Sequence, residues 1–371
     1  MRIGFDAKRA FFNRSGLGSY SRNTILQLSR YFPDNKYFLF TPKYKKKNFK
    51  LESDNVHVST PDSLTGKFFN SYWRTFLLAN QVEKNGIDIY HGLSNELPSG
   101  IKSNNVKKVV TIHDLIFMRY PEFYKLIDRN IYEKKFKYSC DSADKIFAVS
   151  NQTKDDILNF FKTDENKISI VYQGCDNMFL NEVSEEEKNK IIRKHHLPQH
   201  YILYIGTIEE RKNLLSVVRA IKEGNLDTYL VVIGKPTSYI SKVKQYIYEN
   251  RMERQVLFLN NVRIEDLPAI YQLAYLFIYP SIFEGFGIPI LEALFSKVPV
   301  ITSKGSCFSE AGGSKTIYVD PTNIEEIIYS MKKILDDSQL RETMINEGLN
   351  HAMNFKDEVV AANLMREYSS L

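Results

Sequence analysis

Apolar residues in this chain come in short runs separated by amphipathic stretches. Residues 2–7 (RIGFDA) form the first run, the pattern of a buried strand. A glycine-containing turn follows at 15–19 (SGLGS), after which Tyr20, Ile25 and Leu28 recur at helical spacing. Strand-like runs continue at 37–41, 56–59, 87–91, 106–113, 145–150 and 168–172, with helical patterns at 68–84, 123–139 and 153–161 between them. Ser150 stands where a cap for the last of these helices belongs.

The pattern lapses at 181–199, a charged stretch poor in bulky apolar residues, which predicts the end of a linker holding one short helix. A second series begins at 201–206 (YILYIG). Its strands continue at 228–234, 256–260, 276–280, 298–302 and 316–319, with helices at 213–223, 239–250, 265–273, 288–296 and 323–336. The tail from 338 to 368 reads as helical throughout. Strands alternating with helices predict the α/β class, with a parallel sheet flanked by helices in each half. A length of 371 residues fits two such domains, with the division expected between 1–180 and 181–371.

Composition narrows this picture by exclusion. With 43% hydrophobic and 25% charged residues, the chain is not of a disordered, collagenous or disulfide-stapled type. The net charge of +6 is too small to indicate a nucleic-acid partner. It is unevenly placed: residues 1–180 hold 28 Lys and Arg against 19 Asp and Glu, and residues 181–371 hold 22 against 25. Within the basic half, 43–50 (KYKKKNFK) has two readings, a solvated loop or a contact with an anionic membrane surface or lipid phosphate. Cys140, Cys175 and Cys307 are scattered and outside any C-x-x-C, so they read as reduced thiols, with no metal site expected. Neither a leader nor an apolar run of membrane-spanning length is evident, which predicts a cytoplasmic chain, peripheral at most on the inner face of the plasma membrane.

Four segments carry candidate chemistry. The strongest is 280–293 (PSIFEGFGIPILEA), between a strand and a helix. Gly285 and Gly287 admit a close ligand, Pro289 suits a first helical turn, and the free amides there favour an anion such as a diphosphate. Glu284 and Glu292 bracket the segment. They fit hydroxyl acceptance from a sugar or ribose, or else simple complementing of the helix dipole. The second segment is 206–213 (GTIEERKN), where Arg211 and Lys212 at a helix start call for an external anion unless they are ordinary surface cations. The third is 109–115 (VVTIHDL), with His113 at a strand end suited to substrate hydrogen bonding or acid/base work. His91 in IYHGL occupies the same kind of position. The fourth is the Gly16–Gly18 turn, which lacks a G-x-G-x-x-G and so signals close approach to a ligand rather than a dinucleotide.

Together these segments resemble the retaining glycosyltransferases of the GT-B fold, family 4, the glycosyl transferases group 1 that include bacterial mannosyltransferases. The signature is Glu284, seven residues, then Glu292, within EGFGIPILE. GTIEERKN, His113-Asp114 and DIYHGLSNELP fit in order. The resemblance implies two Rossmann-like domains facing a central cleft, with the C-terminal helix of about 355–371 packing back on the N-domain. It also implies a nucleotide-diphosphate sugar as co-substrate, no cofactor, no metal, and a saccharide or lipid-linked saccharide acceptor in cell-surface polysaccharide, lipopolysaccharide or O-antigen synthesis. GDP-mannose and a UDP-sugar both remain open as donor.

Carried over by residue, the resemblance gives His113 and Glu284 to catalysis. Gly16, Gly18, Gly206, Arg211, Lys212, Val262, Glu284, Gly285, Phe286, Gly287, Ile288 and Glu292 go to the donor, and His91 and Asp114 to the acceptor. Two departures stand out: Thr207 where some members carry a basic residue, and Ser309-Glu310 where many carry Pro-Glu. The alternatives are a non-catalytic sugar-nucleotide-binding partner subunit and a Rossmann-type epimerase or oxidoreductase.

Overall fold

The computed structural model describes residues 1–13, 16–44, 49, 53–61, 73–101 and 105–371. Ser15 of the expected glycine turn, residues 45–48 and 50 of the basic tract, and 68–72 of the expected helix 68–84 lie outside the described residues. The chain forms two compact units, Met1–Gly174 with Asp357–Leu371, and Cys175–Lys356. The sequence pattern placed the division a few residues later, at 180/181.

Unit 1 carries strands β1 (Arg2–Asp6), β2 (Lys36–Phe40), β3 (Val56–Ser59), β4 (Ile89–Gly92), β5 (Lys107–Ile112), β6 (Lys145–Ala148) and β7 (Ile168–Ile170). They form one parallel sheet in the order β3-β2-β1-β4-β5-β6-β7. Its helices are α1 (Lys8–Phe12), α2 (Gly16–Tyr31), α3 (Leu78–Lys84), α4 (Ile116–Arg119), α5 (Leu126–Ser142) and α6 (Asn151–Phe161). Because strand side chains alternate between faces, Ile3, Phe5, Ile89 and Val109 pack on one side of the sheet, with Ile25 and Leu28 of α2. Tyr90, Val110 and Ile112 pack on the other, with Val82 of α3 and Ile157 of α6. Ser150 does cap α6, its hydroxyl accepting from Thr153 N–H at 3.0 Å.

Unit 2 repeats the plan. It holds α7 (Glu185–His195), β8 (Tyr201–Ile205), α8 (Leu214–Glu223), β9 (Tyr229–Ile233), α9 (Ile240–Glu249), β10 (Val256–Leu259), α10 (Leu267–Gln272), β11 (Leu276–Tyr279), α11 (Ile288–Phe295), β12 (Val300–Ser303), α12 (Phe308–Gly312), β13 (Ile317–Val319), α13 (Ile324–Asp336) and α14 (Ser338–Ala352). The six strands are parallel in the order β10-β9-β8-β11-β12-β13. Each sheet therefore reverses direction once, between β1 and β4 in unit 1 and between β8 and β11 in unit 2. The loops leaving the carboxyl ends of those strands flank the crevice where open α/β sheets hold ligands.

Two expectations need correction. The stretch 181–199 is no tether. Its helix α7 is capped by Ser184, buries Ile191, and sends Lys194 and His195 to the buried Asp266 at 2.5 and 3.1 Å. The tail is also not one helix. A 3-10 turn at Met353–Phe355 ends α14, with Phe355 buried against Phe286 at a ring separation of 5.7 Å. Asp357 and Glu358 then supply the acidic first turn of a new helix, α15 (Asp357–Ser369). That helix buries Leu364, Met365 and Tyr368 in the core of unit 1.

Candidate active site

In unit 2 the two strongest motifs leave adjacent strands. GTIEERKN follows β8 and EGFGIP follows β11, and these strands pair in register at Ile202 with Leu276. A Cβ on Gly206 would lie 3.0 Å from Lys212 Cδ, so the bare backbone lets the lysine stem cross it. Arg211 and Lys212 lie on a 3-10 turn, Glu210–Lys212, rather than at the helix start that the sequence suggests. Asn213, at φ 59°, separates that turn from α8.

The anion these cations meet is Glu284. Lys212 Nζ lies 2.7 Å and Arg211 Nη1 3.0 Å from Glu284 Oε1. Tyr279 OH and Ser281 Oγ donate to the same oxygen at 2.9 and 2.7 Å. Burial would raise this carboxyl, but Lys212 and Arg211 overcome it and hold the group down at about 2. Arg211 also pairs with Glu209 at 2.7 Å and donates to the Phe283 carbonyl. Two cations thus face two carboxylates.

Helix α11 opens at Gly287, whose φ of 109° suits glycine. Ile288 is its first residue and Pro289 lies in its first turn. No side chain caps this end and no acidic residue stands in the first turn. Glu284 and Glu292 therefore do not serve as dipole partners at N1–N3, and the amides remain suited to an external anion. The loop before the helix is tied from behind. Ser306 Oγ and Cys307 Sγ donate to the Glu284 carbonyl, both at 3.2 Å, and the thiol also reaches the Phe286 carbonyl at 3.0 Å. Gly285 sits between these tied residues. Glu292, one turn into α11, accepts from Tyr271 OH at 2.8 Å. Burial lifts its carboxyl to about 7, helped by the nearby Asp176. Val262, half-buried, follows β10 after Asn261 at φ 56°.

In unit 1, His113 stands directly after β5 and is buried. Its Nε2 donates to the Leu93 carbonyl and its Nδ1 accepts from Gln173 Nε2, each at 2.9 Å. That pairing fixes the neutral Nε2–H form, and burial lowers the imidazole to about 4. With both nitrogens engaged, the ring offers no free proton-transfer group. Asp114 accepts from Ile116 N–H at 3.2 Å, opening α4.

His91 does not belong to a binding surface. It is wholly buried, with Nδ1 2.6 Å from Tyr368 OH and Nε2 2.7 Å from Thr111 Oγ1. Its side chain faces the core that α15 covers, and burial lowers it to about 3. The expected Gly16–Gly18 turn is the first turn of α2. A Cβ on Gly18 would meet the Asn13 carbonyl oxygen at 1.9 Å, so glycine there serves the fold of α1 onto α2, whereas Gly16 faces open space.

The sequence pattern missed a polar group at the unit 1 crossover. Arg74, from a π-helical turn at Trp73–Leu77, donates to Asp6 at the end of β1 at 2.6 Å and to Glu96 beyond β4 at 2.8 Å. Tyr90, on the same face as Asp6, has a buried hydroxyl with no partner among the described residues. Asp6 and Arg74 lie 68 residues apart and meet only where the π-helical turn packs over the end of β1. Among the described residues, no group of three or more His, Cys, Asp or Glu is placed to hold a metal, and all three cysteines are buried.

Comparison with known proteins shows the family and the fold. The family described as glycosyl transferases group 1 matches residues 184–351, and glycosyltransferase family 4 matches 21–177. The O-antigen chain mannosyltransferase B of Escherichia coli is 30% identical over 76% of this chain and 74% of its own. The O-antigen chain mannosyltransferase RfbU of Salmonella typhimurium is 28% identical over 61% of this chain, which spans 60% of that relative. The solved structure of Anabaena HepE in complex with UDP-glucose shares the fold at a TM-score of 0.78 and 15% identity, covering all of both chains.

Proposed function

Because the chain belongs to the group 1, family 4 glycosyltransferases of the GT-B fold, we propose that it transfers a hexosyl group, with retention and without a metal, from a nucleotide-diphosphate sugar to a saccharide or lipid-linked saccharide. Mannose is favoured as the sugar by the names of the two O-antigen relatives, and the UDP-glucose complex of HepE supports the donor class. The observation that carries the proposal is the convergence of Arg211, Lys212, Tyr279 and Ser281 on Glu284, beside the uncapped start of α11.

On this reading the diphosphate meets Arg211, Lys212 and the amides of Gly287 and Ile288. Because Glu209 and Glu284 already balance the two cations, the phosphates compete with a carboxylate for them. Glu284 Oε1 is saturated by its four donors, and Oε2 serves a hydroxyl of the transferred sugar. The backbone of Gly285 and Phe286 lines the sugar beside it, Glu292 holds the ribose, Val262 lies by the base, and the Lys212 stem crosses the bare backbone of Gly206 toward the phosphates.

In transfer, the bond from the anomeric carbon to the phosphate oxygen breaks and a bond to the acceptor oxygen forms. The acceptor proton passes to the leaving diphosphate, since His113 is neutral and doubly hydrogen-bonded. His113 then lines the sugar as a shape element. Glu96, oriented by Arg74, and Asp114 accept hydrogen bonds from acceptor hydroxyls. Incubation with GDP-mannose, UDP-glucose and a saccharide acceptor, followed by NMR of the anomeric proton, tests this. An α-linked product from an α-donor supports it; an inverted product, or none with any sugar nucleotide, refutes it.

A further inference from the structure

Helix α2 starts against α1 and carries Tyr20 to the end of β5. Its start is fixed twice. Gly18 has no room for a Cβ beside the Asn13 carbonyl, and Arg22 Nη1 donates to the carbonyls of Ala10 and Asn13 at 3.0 and 2.7 Å. Tyr20, half-buried, then packs perpendicular to the His113 imidazole, with ring centroids 4.6 Å apart and planes at 85°. The hydrogen bonds of His113 to Leu93 and Gln173 act in the plane of its ring. They resist sliding within that plane more than tilting out of it, and the ring of Tyr20 stands across the tilt.

Tyr20 is itself tethered. Its hydroxyl lies 2.9 Å from Thr111 Oγ1 on β5. Thr111 Oγ1 lies 2.7 Å from His91 Nε2 on β4, and His91 Nδ1 lies 2.6 Å from Tyr368 OH on α15. Thr111, His91 and Tyr368 are at most 2% exposed, and Phe5 and Phe147 flank the His91 ring. A polar row thus crosses an apolar core. Apolar side chains of the same shape would leave such a core about as stable, so the row acts on geometry: a satisfied buried network holds one arrangement. A half-buried ring has freedom to swing toward solvent, and the hydroxyl tether removes it. Phenylalanine would make the same ring contact untethered.

We infer that Tyr20 is a positioning residue for sugar transfer: its ring holds the His113 imidazole in place, and the buried row Thr111–His91–Tyr368 holds Tyr20. The inference rests on the placement of His113 beside the transferred sugar proposed above. It gives His91 the work of an anchor in place of an acceptor contact.

The test pairs two readouts on the 371-residue chain and its variants Tyr20→Phe and Tyr20→Leu. Proton–nitrogen NMR spectra of isotope-labelled histidines report the imidazole directly, with the His113 signals assigned by their loss in His113→Asn. Steady-state kcat and KM for the sugar nucleotide report transfer. Wild type should show His113 in one neutral form, protonated at Nε2. Its signals should broaden and shift in Y20F, and shift further in Y20L as the neighbouring ring current is lost. Turnover should fall about fivefold in Y20F and about 50-fold in Y20L, with KM within about twofold of wild type. Y20F keeps the ring and the packing, so it carries the test should Y20L not fold. A packing role alone would lower the melting temperature and leave the His113 signals and kcat of the folded variants unchanged, which would overturn the inference. A fall in kcat without movement of the His113 signals, or movement of the signals without a fall in kcat, would overturn it as well. A wild type without turnover defeats the catalytic proposal alone, because the spectra still decide whether Tyr20 holds His113. An active wild type whose variants keep full kcat defeats the positioning role alone.

Discussion

Lys212 Nζ lies 2.7 Å from Glu284 Oε1, so the cation that the sequence offers to a diphosphate is already paired with the protein's own carboxylate. Donor binding in this site is an exchange of partners. The carboxylate holds the lysine stem in place beforehand, which lowers the ordering cost when phosphate arrives.

Replacing Glu284 by Gln removes the competitor and keeps the shape. Nucleoside diphosphate alone should bind more tightly, by roughly 1–2 kcal/mol for a released charge-assisted contact. Transfer should fall on the order of 100-fold as the hydroxyl contact weakens. Calorimetry with GDP and UDP, set beside steady-state turnover, separates the two effects. Weaker diphosphate binding in E284Q would contradict the exchange.

The buried titratable groups give opposing pH dependences. His113 at about 4 and His91 at about 3 are held below their unfolded value of 6.5 by burial. Their contribution to stability is complete above pH 6.5 and is lost as pH falls through those values. Glu292, raised by burial from 4.5 to about 7, contributes below pH 4.5 and loses that contribution as pH rises through 7. Glu292→Gln keeps the bond from Tyr271 and removes the second effect. The melting temperature of E292Q should therefore gain on wild type between pH 5 and pH 8, by the equivalent of on the order of 3 kcal/mol. A gap that stays constant over that range would contradict the assignment.

Arg211, Lys212 and the start of α11 supply positive potential of the kind a divalent metal ion would otherwise provide. Transfer should keep its full rate after EDTA treatment and gain nothing from Mg²⁺ or Mn²⁺. Loss of activity in EDTA, restored by either ion, would show that these groups are insufficient.

The doubly wound sheets were legible because buried parallel strands are continuous apolar runs, such as Tyr201–Ile205 and Leu276–Tyr279. EGFGIPILE was legible because its glycines, proline and helix start lie within one short segment. What stayed hidden depends on neighbours distant in sequence. Glu284 reads as a hydroxyl acceptor until β8 and β11 bring Lys212 to it. Cys307 reads only as a reduced thiol, yet it braces the carbonyls of Glu284 and Phe286. His91 and His113 look alike as strand-end histidines. Only the packing of Tyr368 on His91, supplied by a helix from the other end of the chain, tells them apart. The break at Met353–Phe355 was masked by helical propensity on both sides and follows from the burial of Phe355.

The most direct test of the account is isothermal titration of GDP-mannose and UDP-glucose into wild type and Lys212→Ala, in EDTA. One sugar nucleotide should bind wild type at a single site, and K212A should weaken it about tenfold or more, as expected for loss of a charge-assisted contact of roughly 1.5–3 kcal/mol. Binding of neither nucleotide to wild type, or equal affinity in K212A, would contradict the placement of the donor at the β8/β11 crossover.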